Sequence, residues 1–110
     1  MGIFLKDINL KGKTALITGA TKGIGRGAAI AIAEAGGNVI AIGRNQTELN
    51  TLKKEIKKFK VKYLPFKCDV NDYNRIKSFI TKLKQLDILV NNAGTNIPEP
   101  FLNVKNLSLI

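Results

Sequence analysis

The sequence predicts an α/β fold built on a doubly wound parallel sheet. Three observations carry that reading. Short apolar runs alternate with amphipathic helical patterns, glycines gather where the first run meets the first helix, and no linker or repeat interrupts the alternation. Right-handed crossovers between successive strands then give the order 3-2-1-4, the N-terminal half of a complete doubly wound sheet.

The first strand is Thr14 to Thr18, which stops at the turn Thr18-Gly19-Ala20-Thr21-Lys22-Gly23-Ile24-Gly25. The first helix, Ile24 to Ala35, is rich in alanine and ends at Gly36-Gly37, where a left-handed cap is cheap for glycine. Asn38 to Ile42 is the second strand. Thr47 to Lys58 reads as the second helix, capped by Asn45 or Thr47, with Leu49, Leu52, Ile56 and Phe59 at helical spacing on one face. The third strand, Lys62 to Cys68, contains Pro65, which removes a ladder donor and points to a sheet edge. Asn71 to Lys84 is the third helix and Leu86 to Val90 a fourth, buried strand. From there the chain reads as loop, with Pro98 and Pro100, followed by an amphipathic piece from Phe101 to Ile110. The fourth strand is therefore expected to offer an unpaired apolar edge, and the chain alone to be marginally stable, self-associating or dependent on a partner.

A chain of 110 residues holds one domain at most, and residues 1–110 read as a single partial domain. No run of about 18 apolar residues is present to span a bilayer, and the N-terminus lacks the hydrophobic stretch of a secretory signal, so no membrane association is expected. Cys68 is the only cysteine, which excludes an internal disulfide and fits a cytoplasmic location. With no histidine and one cysteine, neither a metal site nor a cysteine nucleophile is expected. The net charge of +10 is mostly lysine, with seven between Lys53 and Lys67. They fall on the outer face of the second helix, without interleaved aromatics or an arginine cluster. A solvated face is favoured and a nucleic-acid partner is not expected.

A strand that ends in a glycine turn and restarts as a helix leaves the helix's first N–H groups unpaired, so a phosphate can accept them. The spacing here is Gly19-x-x-x-Gly23-x-Gly25, and Asn91-Asn92-Ala93-Gly94 follows the fourth strand. This pair of motifs resembles the short-chain dehydrogenase/reductase family, whose members carry Thr-Gly-x-x-x-Gly-Ile-Gly after the first strand and Asn-Asn-Ala-Gly after the fourth. The resemblance implies a Rossmann-type fold, a dinucleotide cofactor and oxidoreduction of a small carbonyl or secondary alcohol. It implies that Gly19, Thr21, Lys22, Gly23, Ile24 and Gly25 surround the phosphates and adenosine ribose. Asp69 would accept from the adenine amino group, Val70 would pack on the ring, and Asn91, Ala93 and Gly94 would lie along the cofactor.

The second strand ends in Gly43-Arg44, with glycine where an NAD-preferring site carries an acid. A carboxylate there would repel a 2′-phosphate, whereas a guanidinium binds one through two hydrogen bonds, and Lys22 adds a second cation. NADP(H) is therefore favoured over NAD(H).

The family's catalytic serine, tyrosine and lysine follow the Asn-Asn-Ala-Gly segment, beyond residue 110, so no catalytic residue is assigned. Tyr-x-x-x-Lys does occur twice. Tyr63 and Lys67 share a strand, where that offset separates side chains by about 13 Å, against about 6 Å on a helix. Tyr73 and Lys77 have helical spacing but follow Asp69 on the outer helix layer. The stretch Asn91 to Phe101 is similar to the 3-oxoacyl-carrier-protein reductase and gluconate dehydrogenase-like branches. The chain alone is expected to bind cofactor without turnover, and the complete enzyme to be a homo-oligomer. The alternatives are a non-catalytic nucleotide-binding module and one chain of a split reductase.

Overall fold

A computed structural model describes residues 8–92 and 97–110. The elements are β1 (Thr14–Thr18), α1 (Gly23–Glu34), β2 (Asn38–Gly43), α2 (Gln46–Lys57), β3 (Tyr63–Lys67), α3 (Tyr73–Thr81), β4 (Ile88–Asn91), a 3-10 turn (Glu99–Asn103) and β5 (Ser108–Leu109). All pairings are parallel and the strand order is β3-β2-β1-β4-β5. Pro65 lies on β3 at one edge of this sheet, where its missing N–H breaks no inner ladder.

Both faces of the sheet are covered, because successive strand residues point to opposite sides and β1 is apolar at each. On one side Ala15 and Ile17 meet Ala28, Ala29 and Ile32 of α1 and Leu49, Leu52 and Ile56 of α2. On the other, Leu16, Ile40, Ile42 and Leu89 pack with Ile76 of α3 and Phe101 of the 3-10 turn. The lysines of α2 lie off its buried stripe: Lys53, Lys54 and Lys57, with Lys58 just past its end, are all exposed.

The expectation of a bare fourth strand is corrected. Ser108 and Leu109 pair with Ile88 and Leu89, and the amides of Ser108 and Ile110 donate to the carbonyls of Asp87 and Leu89. The cause is Phe101, 1% exposed, which anchors the 3-10 turn against α3 and carries the chain across that face. A parallel neighbour needs such a crossover. The outer edge is now β5, two residues long, with Leu109 and Ile110 exposed. The third helix is also shorter than its pattern. Asp72 caps it and it closes at Thr81, while Leu83 turns into the second core cluster.

Candidate nucleotide-binding site

The C-terminal ends of β1, β2 and β3 open onto a cleft of about 510 Å³ lined by Gly19, Thr21, Lys22, Ile42, Gly43, Arg44, Asn45, Glu48, Cys68, Val70 and Asn71. Crevices at the carboxyl ends of parallel strands are where such sheets bind ligands. Gly19 and Gly23 have φ of 62° and 53°, the left-handed region that favours glycine. Gly25 is demanded by space: a Cβ there would strike the Gly19 carbonyl oxygen and stand 2.5 Å from Nδ2 of Asn92. Gly43 likewise leaves room for Thr21, whose methyl would lie 2.9 Å from a Cβ at 43.

The three helices start differently. Asn45 and Asp72 cap α2 and α3, accepting from the amides of Glu48 and Arg75. α1 starts after Lys22 with no side-chain cap and no acidic residue in its first turn. No side chain caps its first amides, and these are the donor set a phosphate fits. Ile24, 73% exposed in that first turn, is an apolar side chain left uncovered beside it.

Two residues with no expected role hold the turn in place. The Thr18 hydroxyl, fully buried, donates to Oδ1 of Asn91 at 3.2 Å and accepts from the Asn92 amide at 3.0 Å. Asn92 Nδ2 donates to the Gly19 carbonyl at 3.3 Å. The end of β4 is thereby tied to the turn after β1. The doubled asparagine is the signal visible in the sequence, where the resemblance implies a cofactor role for the first alone. Ala93 and Gly94, also expected along the cofactor, lie outside the described residues.

Both cations expected at the 2′-position are paired. Arg44 Nη2 lies 2.8 Å from Oδ2 of Asp69, and Lys22 Nζ lies 3.4 Å from Oε2 of Glu48. The Asn71 amide, and after it the Arg44 guanidinium, hold Asp69 below its ordinary carboxylate value. Asp69 does not cap α3; Asp72 does. Asp69 and Val70 both follow β3, but Val70 lines the cleft, while Asp69 lines an adjoining cavity with Arg44, Lys67 and Arg75. Burial pushes the Cys68 thiol up, away from thiolate reactivity.

Of the expected site residues, Gly19, Thr21, Lys22, Arg44 and Val70 line the cleft, and neither Tyr-x-x-x-Lys pair does. The Tyr63 hydroxyl donates to the Leu49 carbonyl at 2.8 Å, tying β3 to α2, and burial raises its pKa to about 12. Lys77 sits over the Tyr73 ring at 5.9 Å on α3. Among the described residues, no helix is long and apolar enough to cross a membrane, and no group of three or more metal-ligating side chains is found.

Residues 13–108 match the family model described as short chain dehydrogenase. This chain belongs to the short-chain dehydrogenase family. Among curated relatives, the 2-dehydro-3-deoxy-D-gluconate 5-dehydrogenase of Pseudoalteromonas atlantica is 37% identical over an alignment of 101 residues that covers 87% of this chain and 40% of that protein. The chain therefore spans well under half the length of that relative. Among solved structures, L-sorbose reductase from Gluconobacter frateurii, complexed with NADPH and L-sorbose, superposes with a TM-score of 0.71 at 33% identity, covering 81% of this chain and 36% of that one. A short chain dehydrogenase from Mycobacterium paratuberculosis bound to NAD gives a TM-score of 0.71 at 27% identity, covering 82% and 40%. The family is one of NAD(P)-binding oxidoreductases.

Proposed function

We propose that this chain supplies the dinucleotide site of a short-chain oxidoreductase that uses NADP(H) in preference to NAD(H) and acts on a small carbonyl or secondary alcohol. The observation that carries the reading is the uncapped N-terminus of α1 above the glycine turn, with Arg44 on the rim of the same cleft. The amides of that first turn would hold the pyrophosphate. Arg44 would exchange Asp69 for a 2′-phosphate, an oxyanion that a planar guanidinium holds with two parallel bonds. Asp69, so released, would accept from the adenine amino group, with Val70 against the ring. Gly19 and Gly25 let the backbone approach, and Thr18, Asn91 and Asn92 keep β4 in register with the turn. The bound dinucleotide would supply the hydride.

The chain alone is expected to bind without turnover, since neither of its tyrosine-lysine pairs lines the cleft. The reading includes a cytoplasmic location, to which a single free, buried cysteine is suited. It also includes homo-oligomeric assembly in the complete enzyme. Calorimetric titration of the purified chain with NADPH and with NADH tests the proposal. NADPH should bind more tightly, and Arg44→Asp should reverse the order; an order unchanged by that substitution would refute the role of Arg44.

A further inference from the structure

We infer that Glu48 sets how strongly this cleft distinguishes a 2′-phosphorylated dinucleotide from its unphosphorylated counterpart, a positioning and specificity role that rests on reading the cleft as an NADP(H) site. The argument begins with a charge balance. Lys22 and Arg44 are the two cations lining the cleft, and each already has a carboxylate: Glu48 for Lys22 at 3.4 Å and Asp69 for Arg44 at 2.8 Å. Only Glu48 of those two carboxylates lines the cleft itself. It is also the less exposed, with 31% of its side-chain surface open against 45% for Asp69, so water screens its charge less.

Glu48 is held in place on several sides. Its amide donates to Oδ1 of Asn45 at 3.0 Å, which fixes it in the first turn of α2. Its Oε1 accepts from the Thr21 hydroxyl at 3.1 Å, and its Oε2 faces Lys22. The carboxylate therefore moors the glycine turn to α2 and spends the Lys22 charge that a phosphate would otherwise meet. A 2′-phosphate placed against Lys22 must approach Glu48 as well and is repelled by it. A ribose 2′-hydroxyl can instead donate to the same oxygen atoms. Glu48 thus opposes the preference that Arg44 creates and keeps the unphosphorylated dinucleotide in competition.

The test is the ratio of NADPH to NADH affinity, measured by calorimetry on the parent chain, E48Q, E48D and E48K, with melting curves alongside. E48Q keeps an acceptor for Thr21 and removes the charge. The ratio should rise about fivefold, the scale of one partly screened charge near a phosphate dianion, and the gain should shrink in about 0.5 M salt. E48D should keep the parental ratio. E48K, which reverses the sign at this half-buried position, should raise the ratio further and stands in should E48Q fail to fold. An unchanged ratio in E48Q or E48K, or equal weakening of both ligands, overturns the role of Glu48. A parent chain that prefers NADH, or binds neither dinucleotide, overturns the NADP(H) reading of the cleft and this inference with it.

Discussion

The Arg44 guanidinium stands 2.8 Å from the Asp69 carboxylate, joining the end of β2 to the segment after β3 across the rim of the cleft. The two residues are 25 positions apart in sequence, and parallel pairing of β2 with β3 brings them together. Each is expected to meet a separate group of the cofactor, and in the protein alone they are partners of one another. Cofactor binding would then be an exchange of ion pairs.

That pairing has a pH signature. The folded Asp69 titrates below its ordinary value of 3.8, so its contribution to stability is complete above that value and is lost as pH falls through the lowered folded one. Because the Asn71 amide bond is the first cause and remains when Arg44 is removed, Arg44→Ala should raise the Asp69 pKa only part of the way to 3.8. A side-chain carboxyl NMR titration of both proteins checks this. Full return to the ordinary value would show that the Asn71 bond contributes nothing.

Three glycines near the turn separate space from conformation. Gly25→Ala forces a Cβ into the Gly19 carbonyl and should cost about 1–3 kcal/mol and abolish dinucleotide binding. Gly27, inside α1, has nothing within 4 Å of a Cβ, so Gly27→Ala should stabilise by about 0.5–1 kcal/mol through helix propensity and leave binding intact. Gly23 has equal space but a φ of 53°, so Gly23→Ala should cost about 1 kcal/mol from backbone strain alone. Chemical denaturation of the three variants orders them, and a destabilised Gly27→Ala would contradict the packing described.

Tyr63 should reveal itself in alkali. Its folded pKa of about 12 lies above the ordinary 10.0, so the folded state holds the proton longer than the unfolded one. Stability is complete below pH 10 and falls as pH rises towards 12. Tyr63→Phe should lose about 1 kcal/mol at neutral pH, from the bond to the Leu49 carbonyl, and should lack this alkaline decline. Unfolding curves at neutral and alkaline pH compare the two. An identical alkaline decline in Tyr63→Phe would place its cause elsewhere.

Local pattern made most of the sheet legible before the structure. The buried runs of β1, β2 and β4 and the Leu49, Leu52 and Ile56 stripe of α2 are periodic, and periodicity is a property of neighbours in sequence. Pro65 marked the edge strand for the same local reason. β5 was not legible, because Ser108 and Leu109 form a strand only through pairing with Ile88 and Leu89 after Phe101 has found the α3 face. The site divides in the same way. Glycines at 19, 23 and 25 announce a turn by spacing, whereas Glu48, Thr18 and Asn92 acquire their roles from contacts across 27, 73 and 74 positions. The pairing of Lys22 with Glu48 and of Arg44 with Asp69 is equally invisible in sequence spacing, since the partners are 26 and 25 positions away.

The central claim is that the glycine turn and the first turn of α1 hold the phosphates of a dinucleotide. An amide NMR titration of the isotopically labelled chain with NADPH tests it most directly. The account predicts that the largest shifts fall on Gly19, Gly23, Ile24 and Gly25, with the Arg44 side chain moving in step. Shifts confined to the lysine face of α2, or none at millimolar NADPH, would contradict it.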